Sequence, residues 1–331
     1  MKRRELLFAL GATTGIALSS IHPSNASIIE LAPIELPIDF RYPNCITRAK
    51  DGTLYVGSVT SGRILQISPQ GKIETFFPGN KDIFAVTTLR LDEARRILWG
   101  ASPDVLGKPQ SNGNNGKVVR RQHRIFAIDI RTNKVLKIMV MPDGGFGNDI
   151  ALDSQGGVYI TDTSRPRIHY IPPGASQLRI WAEDERFNTQ LRFGLSGITR
   201  RADGILFVTM YSDGKLFRVT PRARRNPTIE EIELPRRIDG SDAIALTVDG
   251  SLLMIEGGIE SEDGRLLQLY GLDTKAKPQL TILASGMNLP VNLTTVAKEV
   301  WVTESLFRHR LVPGKEKEIP SRFFIRRFVL P

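Results

Sequence analysis

The chain has 331 residues, 41% of them hydrophobic and 24% charged, with a formal net charge of +10. This balance excludes wholesale disorder and collagen-like or low-complexity fibres, and the length suits two average domains or one large β architecture. With a single cysteine, Cys45, and four histidines, the sequence excludes an internal disulfide, a cysteine-based zinc site and an iron–sulfur cluster, and it disfavours polyhistidine metal sites.

Residues 1–26 have the pattern of a bacterial export signal. Basic Lys2–Arg4 is followed by the apolar stretch Phe8–Leu18, too short to span a bilayer, and then by small residues in Ser24–Ala26. The paired arginines followed by Glu5 and two leucines resemble the twin-arginine subtype, and a Sec signal with a basic end is the alternative. We therefore expect a periplasmic or secreted mature protein, residues 27–331, without a stable membrane anchor.

The positive charge of the mature chain is spread out. Residues 1–26 carry three positive charges and one negative charge, so removing them changes +10 to +8. The remaining basic clusters, such as Arg222–Arg225 and Arg326–Arg327, have no interleaved aromatic residues of the RNA-binding kind. The pattern favours a solvated basic surface over nucleic-acid binding.

One sequence pattern recurs six times in the mature chain. It consists of an apolar run, a turn that often contains Asp-Gly, and a second apolar run with an aromatic residue or leucine; a third run follows, and often a fourth. Asp-Gly between alternating apolar runs is a strong hairpin signal. Equivalent positions are separated by 43, 61, 48, 46 and 48 residues, at Tyr55, Leu98, Tyr159, Phe207, Leu253 and Trp301.

Four strands per repeat at this period predict an all-β fold, a six-bladed β-propeller with four-stranded blades. An open pair of β-sandwich sheets is the alternative. Ring closure requires Ile28–Ile34 or Phe323–Leu330 as the outermost strand of the last blade, and a membrane-surface patch is the alternative role for the second segment. The long spacing contains an insertion, residues 103–122, whose Gly, Asn, Lys and Arg content is typical of a lid or binding loop.

The first strand of each predicted blade begins next to a polar residue. Counting back from the second strands gives six residues that all carry a side-chain oxygen: Asn44, Thr87, Asn148, Ser196, Asp242 and Asn292. Because first strands line the axis of a propeller, these oxygens predict a site for a hard cation, chiefly Ca²⁺. The alternative is that these residues only form turns.

Three carboxylates end the predicted second strands near the same face: Asp162, Glu256 and Glu304. We expect them to line the site and to make this face locally acidic. Pairing with nearby Arg or Lys is the alternative.

The order and spacing of these motifs resemble a known family. The segments are Gly147–Asp153, Gly157–Asp162, Gly194–Ile198 and Gly240–Ile244. They are similar to segments of the senescence-marker-protein/gluconolactonase family of calcium-dependent six-bladed propellers, relatives of paraoxonases and diisopropyl fluorophosphatase. The likeness extends over roughly residues 40–305.

The resemblance implies an axial calcium site. In that family a first-blade Glu, Asn residues and an Asp hold the ion; Asn148 and Asp242 match, Ser196 replaces an Asn, and Asn44 is the nearest candidate for the Glu. It also implies Asp149 as a ligand of a second, structural metal, as in paraoxonase-like members. Because affinity for Ca²⁺ rises with ligand charge, we expect weak binding.

The resemblance further implies hydrolysis of lactones, esters or phosphotriesters of a small-molecule substrate on the axis, with Asp242 as the catalytic carboxylate beside the metal. His123, His169 and His309 occupy strand-like positions that indicate structural roles. Two alternatives remain: a non-catalytic propeller that binds a ligand or a protein in the cell envelope, and a metal-free propeller enzyme similar to strictosidine synthase.

Overall fold

The structure, a computed structural model, describes residues 27–105, 108–109, 118–223, 225–273 and 276–331. The predicted export signal, residues 1–26, lies outside the described residues, as does most of the insertion at 103–122. No helix in the described part of the chain has the length and apolar character needed to cross a bilayer.

Six antiparallel four-stranded sheets form the blades, which confirms the predicted propeller. From the innermost strand outwards, blades 1–3 are β2 Pro43–Arg48, β3 Leu54–Ser58, β4 Ile64–Ile67, β5 Ile73–Phe77; β6 Thr88–Asp92, β7 Ile97–Ser102, β10 Arg124–Asp129, β11 Val135–Val140; and β12 Gly147–Leu152, β13 Val158–Asp162, β14 Arg167–Ile171, β15 Arg179–Glu183. Blades 4–6 are β16 Leu195–Arg200, β17 Leu206–Met210, β18 Lys215–Arg222, β19 Arg225–Ile232; β20 Ser241–Leu246, β21 Leu252–Glu256, β22 Gly264–Tyr270, β23 Gln279–Met287; and β24 Pro290–Val296, β25 Glu299–Glu304, β26 Phe324–Val329, β1 Ile29–Glu35.

The remaining elements are short. A two-stranded ribbon, β8 Lys108–Pro109 and β9 Val118–Val119, belongs to the insertion in blade 2. Three 3₁₀ turns lie between blades or strands, at Pro142–Gly144, Glu185–Phe187 and Arg308–Arg310.

Both chain ends contribute to the last blade. The C-terminal strand β26 pairs with β25 on one side and with the N-terminal strand β1 on the other. The sequence predicts that one segment or the other closes the ring. The structure uses both, so the chain ends hold the first and last repeats together without a disulfide.

The hydrophobic core consists of six clusters, one between each pair of neighbouring blades. Between blades 6 and 1, for example, Val56 and Leu65 pack with Trp301 and Ile325. The other five clusters repeat this arrangement around the ring. Each sheet buries apolar side chains on both faces, which explains why the repeats require a closed ring.

A β-bulge interrupts the innermost strand near its start in five blades. The register with the second strand shifts between Pro43 and Cys45, and at the equivalent places in β12, β16, β20 and β24. A bulge leaves a residue outside the ladder and redirects its side chain. Four residues of these bulges, Asn44, Asn148, Asp242 and Val291, line the axial cavity described next.

Candidate functional site

A cavity of about 100 Å³ opens on the axis where the inner strands begin. Its polar part contains Asn44, Thr87, Asn148 and Asp242, four of the six predicted axial residues. Its remaining lining is mostly apolar. The repeat therefore predicted four of the polar residues that lie at this mouth of the channel.

Hydrogen bonds connect the axial residues of blades 3, 4 and 5. The Asn148 amide nitrogen donates to Ser196 Oγ at 3.1 Å, and the Ser196 hydroxyl donates to Asp242 Oδ1 at 2.7 Å. Ser196 is fully buried beneath this chain of contacts. On the other side, the Asn44 amide nitrogen donates to the Thr87 carbonyl at 3.1 Å. Both amide groups donate through nitrogen, so their oxygens remain acceptors.

Threonines on the second strands hold the bulged segments in place. Thr161 Oγ1 donates to the Ser196 carbonyl at 2.6 Å, and the Asp149 amide donates to Thr161 Oγ1 at 3.0 Å. In the next blade Thr209 Oγ1 accepts from the Gly197 amide at 2.9 Å. These bonds satisfy backbone groups that the bulge removes from the ladder and tie each inner strand to the next.

Asp242 has no cationic partner among the described residues to compensate the charge of its ionised form. Burial raises its pKa from 3.8 to about 7, the Ser196 hydrogen bond opposes this, and the nearby negative charge of Asp149 adds to it. Asp242 takes part in none of the ion pairs among the described residues. Its side chain is half-buried and lines the cavity.

The donor set suits a hard cation. Asp242, Asn44 and Asn148 supply carboxylate and amide oxygens, and Thr87 Oγ1 is buried without a hydrogen-bond partner among the described residues. Oxygen donors of this kind fit Ca²⁺. No group of three or more His, Cys, Asp or Glu side chains with metal-binding geometry occurs in the described chain, so such a site depends on neutral ligands and one carboxylate.

Asn292 does not reach the cavity, because Val291 takes that position. The bulge of β24 leaves Val291 outside the ladder, and Val291 lines the cavity. Asn292 is buried one residue deeper, and its Oδ1 has no partner among the described residues. The count from the second strand therefore ended one residue past the axial position in blade 6.

The three predicted second-strand carboxylates lie outside the cavity lining. Asp162 Oδ2 is 3.4 Å from Arg167 Nε and 3.2 Å from His169 Nε2. Glu256 and Glu304 are likewise engaged: Glu256 Oε2 accepts from Arg236 at 2.8 Å, and Glu304 accepts from a backbone amide at 2.6 Å. Asp242 is thus the one carboxylate among the lining residues in the described chain, and the expected acidic face reduces to this group.

Asp149 lies deeper on the axis and already has a cationic partner. Its Oδ2 accepts from Arg90 Nη2 at 3.1 Å and from the Ile198 amide at 3.1 Å, and Thr88 Oγ1 donates to its Oδ1 at 2.6 Å. The Arg90 guanidinium therefore compensates the charge that a second, structural metal was expected to compensate.

The histidines have structural contacts. His123 Nδ1 lies 3.0 Å from the Gly145 carbonyl, and burial lowers the pKa of this histidine. His309 Nε2 lies 3.2 Å from the Tyr42 hydroxyl, and His169 contacts Asp162. None of the described histidines lines the cavity.

Sequence reasoning missed the apolar wall of the cavity. Phe146 and Phe193 lie two and three residues before the axial positions Asn148 and Ser196, and both line the cavity. An aromatic residue just ahead of an axial polar residue was the available signal. Val105, at the base of the insertion, also lines the cavity.

Comparisons with known proteins agree on the fold. No protein-family model and no curated protein matches the chain. Virginiamycin B lyase from Staphylococcus aureus is similar, with a TM-score of 0.59, 16% identity and coverage of 92% of this chain and 99% of that one. A gluconolactonase-like protein is similar with a TM-score of 0.58 and 13% identity, and the match covers 93% of this chain and 95% of that one. The PQQ-bound aldose sugar dehydrogenase of Streptomyces coelicolor is similar with a TM-score of 0.56 and 14% identity, and the match covers 92% of this chain and 98% of that one. At these identities the likeness shows the fold alone.

Proposed function

We propose that the chain is an exported, Ca²⁺-dependent hydrolase of lactones or esters, of the senescence-marker-protein/gluconolactonase type. One observation carries the proposal: an unpaired carboxylate, Asp242, faces an axial cavity and is oriented by Ser196, which Asn148 supports in turn. A site of this kind can bind a cation and hold a small carbonyl substrate against it.

Asn44, Asn148 and Asp242 would hold the ion, with Thr87 Oγ1 as a further oxygen, while Ser196, buried behind them, would orient Asn148 and Asp242. Bound Ca²⁺ supplies Lewis-acid polarisation of the substrate's carbonyl oxygen. Asp242 would accept a proton from the attacking water through its free carboxylate oxygen and return it to the leaving oxygen as the acyl C–O bond breaks, while the Ser196 hydroxyl keeps the other carboxylate oxygen in place. The apolar wall limits access of bulk water to this carboxylate.

Calcium titration of chelator-treated protein by calorimetry, beside hydrolysis of a lactone and ester panel, tests the proposal. We expect a dissociation constant of about 10⁻⁴–10⁻³ M, because one carboxylate is present, and hydrolysis that a chelator abolishes. Asp242→Asn should lower kcat/KM by about 10²–10⁴-fold, whereas Ser196→Asn should keep or raise calcium affinity.

Asp239→Asn is the matched control, because Asp239 is exposed and pairs with Arg237 at 2.8 Å, outside the cavity lining. Loss of activity in this control as well would point to misfolding. Absence of calcium uptake at millimolar concentration would overturn the metal-dependent proposal.

The second candidate is a non-catalytic binding propeller of the cell envelope. The observation that favours it is the hydrogen bonding of Ser196 to both Asn148 and Asp242, which engages the hydroxyl within the protein. Binding of a small ligand in the cavity without turnover, with or without Ca²⁺, would support this candidate over the hydrolase.

Export by the twin-arginine route is part of the proposal and rests on residues 1–26 alone. Replacing both arginines of the pair, Arg3→Lys with Arg4→Lys, should retain the full-length protein in the cytoplasm, as measured by cell fractionation. Lys2→Gln is the control and should still be exported. Unchanged export of the double variant would instead favour a Sec signal.

A further inference from the structure

The wall of the axial cavity has a different character from its polar end. It is formed by aromatic and aliphatic side chains from several blades, including Val59, Phe146, Phe193, Leu289, Phe307 and Leu311. Phe193 and Tyr211 pack edge to face, with their ring centroids 5.5 Å apart. A ligand that reaches Asp242 must lie against this wall.

Apart from Ser305, the polar side chains of the wall are engaged within the protein. The Tyr211 hydroxyl donates to the Gly257 carbonyl at 3.2 Å, and Thr163 Oγ1 donates to the Leu195 carbonyl at 2.6 Å. Among the lining residues of the described chain, Asp242 is the one charged side chain. Away from the polar end, the wall therefore offers few free donors or acceptors.

This division discriminates between classes of lactone. Each hydroxyl of a polyhydroxylated ligand that loses water without gaining a partner weakens binding by roughly 5- to 100-fold. Each methylene that is buried against an apolar wall strengthens binding by roughly fourfold. A sugar lactone suits the polar end of the cavity but not its wall, whereas an alkyl-substituted lactone suits both.

We propose that the ligand of this cavity is a lactone or ester with an apolar arm, alkyl or aryl, on the carbon that carries its ester oxygen. The carbonyl group lies at the polar end near Asp242, and the arm lies between Phe146, Phe193 and Phe307. The reaction rests on the proposed function, but the preference for an apolar arm is a property of binding and is measurable without turnover.

Three δ-lactones provide the test: δ-gluconolactone with hydroxyls, δ-valerolactone without substituents, and δ-decalactone with a pentyl arm. The measurements are kcat/KM for the wild type in Ca²⁺ and calorimetric binding to Asp242→Asn. We expect δ-decalactone to exceed δ-gluconolactone at least tenfold in both. Equal or better binding and turnover of δ-gluconolactone would overturn the inference.

Variants in the wall connect the preference to these side chains. Phe193→Gln should reduce the ratio of δ-decalactone to δ-valerolactone at least threefold, and Ile259→Gln, in a loop that also lines the cavity, is the second variant should the first fail to fold. Leu191→Gln is the control, because Leu191 is 53% exposed and outside the lining. An unchanged ratio in folded wall variants would contradict the assignment.

The two proposals fail separately. Preferential binding of δ-decalactone to Asp242→Asn, with no hydrolysis by the wild type, would overturn the hydrolase and leave the apolar ligand class standing. Hydrolysis without preference for the alkyl lactone would overturn the apolar ligand class and leave the hydrolase standing. Absence of both binding and hydrolysis for all three lactones would overturn both.

Discussion

Two axial carboxylates, Asp149 and Asp242, differ in how the protein compensates their charge. Asp149 has the Arg90 guanidinium at 3.1 Å, whereas Asp242 has the neutral hydroxyl of Ser196. A buried carboxylate without a cationic partner favours its protonated form, and the pKa of Asp242 is raised accordingly. Asp149 is therefore a structural carboxylate with its own cation, whereas Asp242 has no cationic partner in the described chain and is open to a ligand.

The raised pKa of Asp242 predicts a pH-dependent effect of Asp242→Asn on stability. The folded pKa, about 7, exceeds the ordinary 3.8, so stability from this group is present at low pH and is lost as pH rises from about 4 through 7. Above pH 7 the ionised carboxylate is a cost that asparagine avoids. Without divalent cations, the variant should gain about 1–3 kcal/mol at pH 8 and little at pH 4.

Urea unfolding at both pH values, in chelator, measures this difference. Asp203→Asn is the control: Arg201 holds the pKa of Asp203 below its ordinary value, so that variant should show no gain at pH 8. A less stable Asp242→Asn protein at pH 8 would contradict the electrostatic account.

Part of the ion pairing near the site was predictable at the scale of single residues. Asp162 faces Arg167 directly across the β13–β14 hairpin, and Glu256 faces Arg265 across the β21–β22 hairpin. Both pairs follow from strand register. The contact of Glu256 with Arg236 does not, since Arg236 approaches from a separate loop, and a local pattern contains no information on such a contact.

At the scale of elements, hairpin length explains why counting from the second strand reached the bulged residue in blades 1, 3, 4 and 5 but not in blade 6. Ile46 pairs with Val56 in blade 1, ten positions along the chain, whereas Leu293 pairs with Val302 in blade 6, nine positions along, so the count shifts by one residue there. Bulges themselves are weakly encoded. Gly197 is an exception, because a Cβ there would lie 2.2 Å from the Asp242 carbonyl oxygen, so glycine permits the approach of β16 to β20.

At the scale of the whole molecule, the repeat predicted the fold because its cause is global. Each sheet has two apolar faces, and six interfaces between blades bury them. Similar folds at 13–16% identity agree with this, since burial patterns persist when individual residues change. Periodicity could not predict which terminus closes the ring, because both segments are apolar and extended.

Closure by β1 predicts the effect of deleting residues 29–35. The strand is mostly exposed and contributes mainly its ladder with β26 and the ion pairs of Glu30 with Arg326 and of Glu35 with Arg322. Its loss should lower the free energy of unfolding by about 1–3 kcal/mol, without abolishing the fold. It should also leave β26 as an unpaired edge that promotes self-association.

Urea unfolding and size-exclusion chromatography at rising protein concentration measure these two effects. Glu30→Gln is the control, because it removes the ion pair with Arg326 and keeps the strand. Its elution profile should match that of the wild type at each protein concentration. If the deletion changed neither the unfolding midpoint nor the elution profile, β1 would not contribute to ring closure. Blades 1–5 together with β24–β26 would then suffice to hold the ring closed.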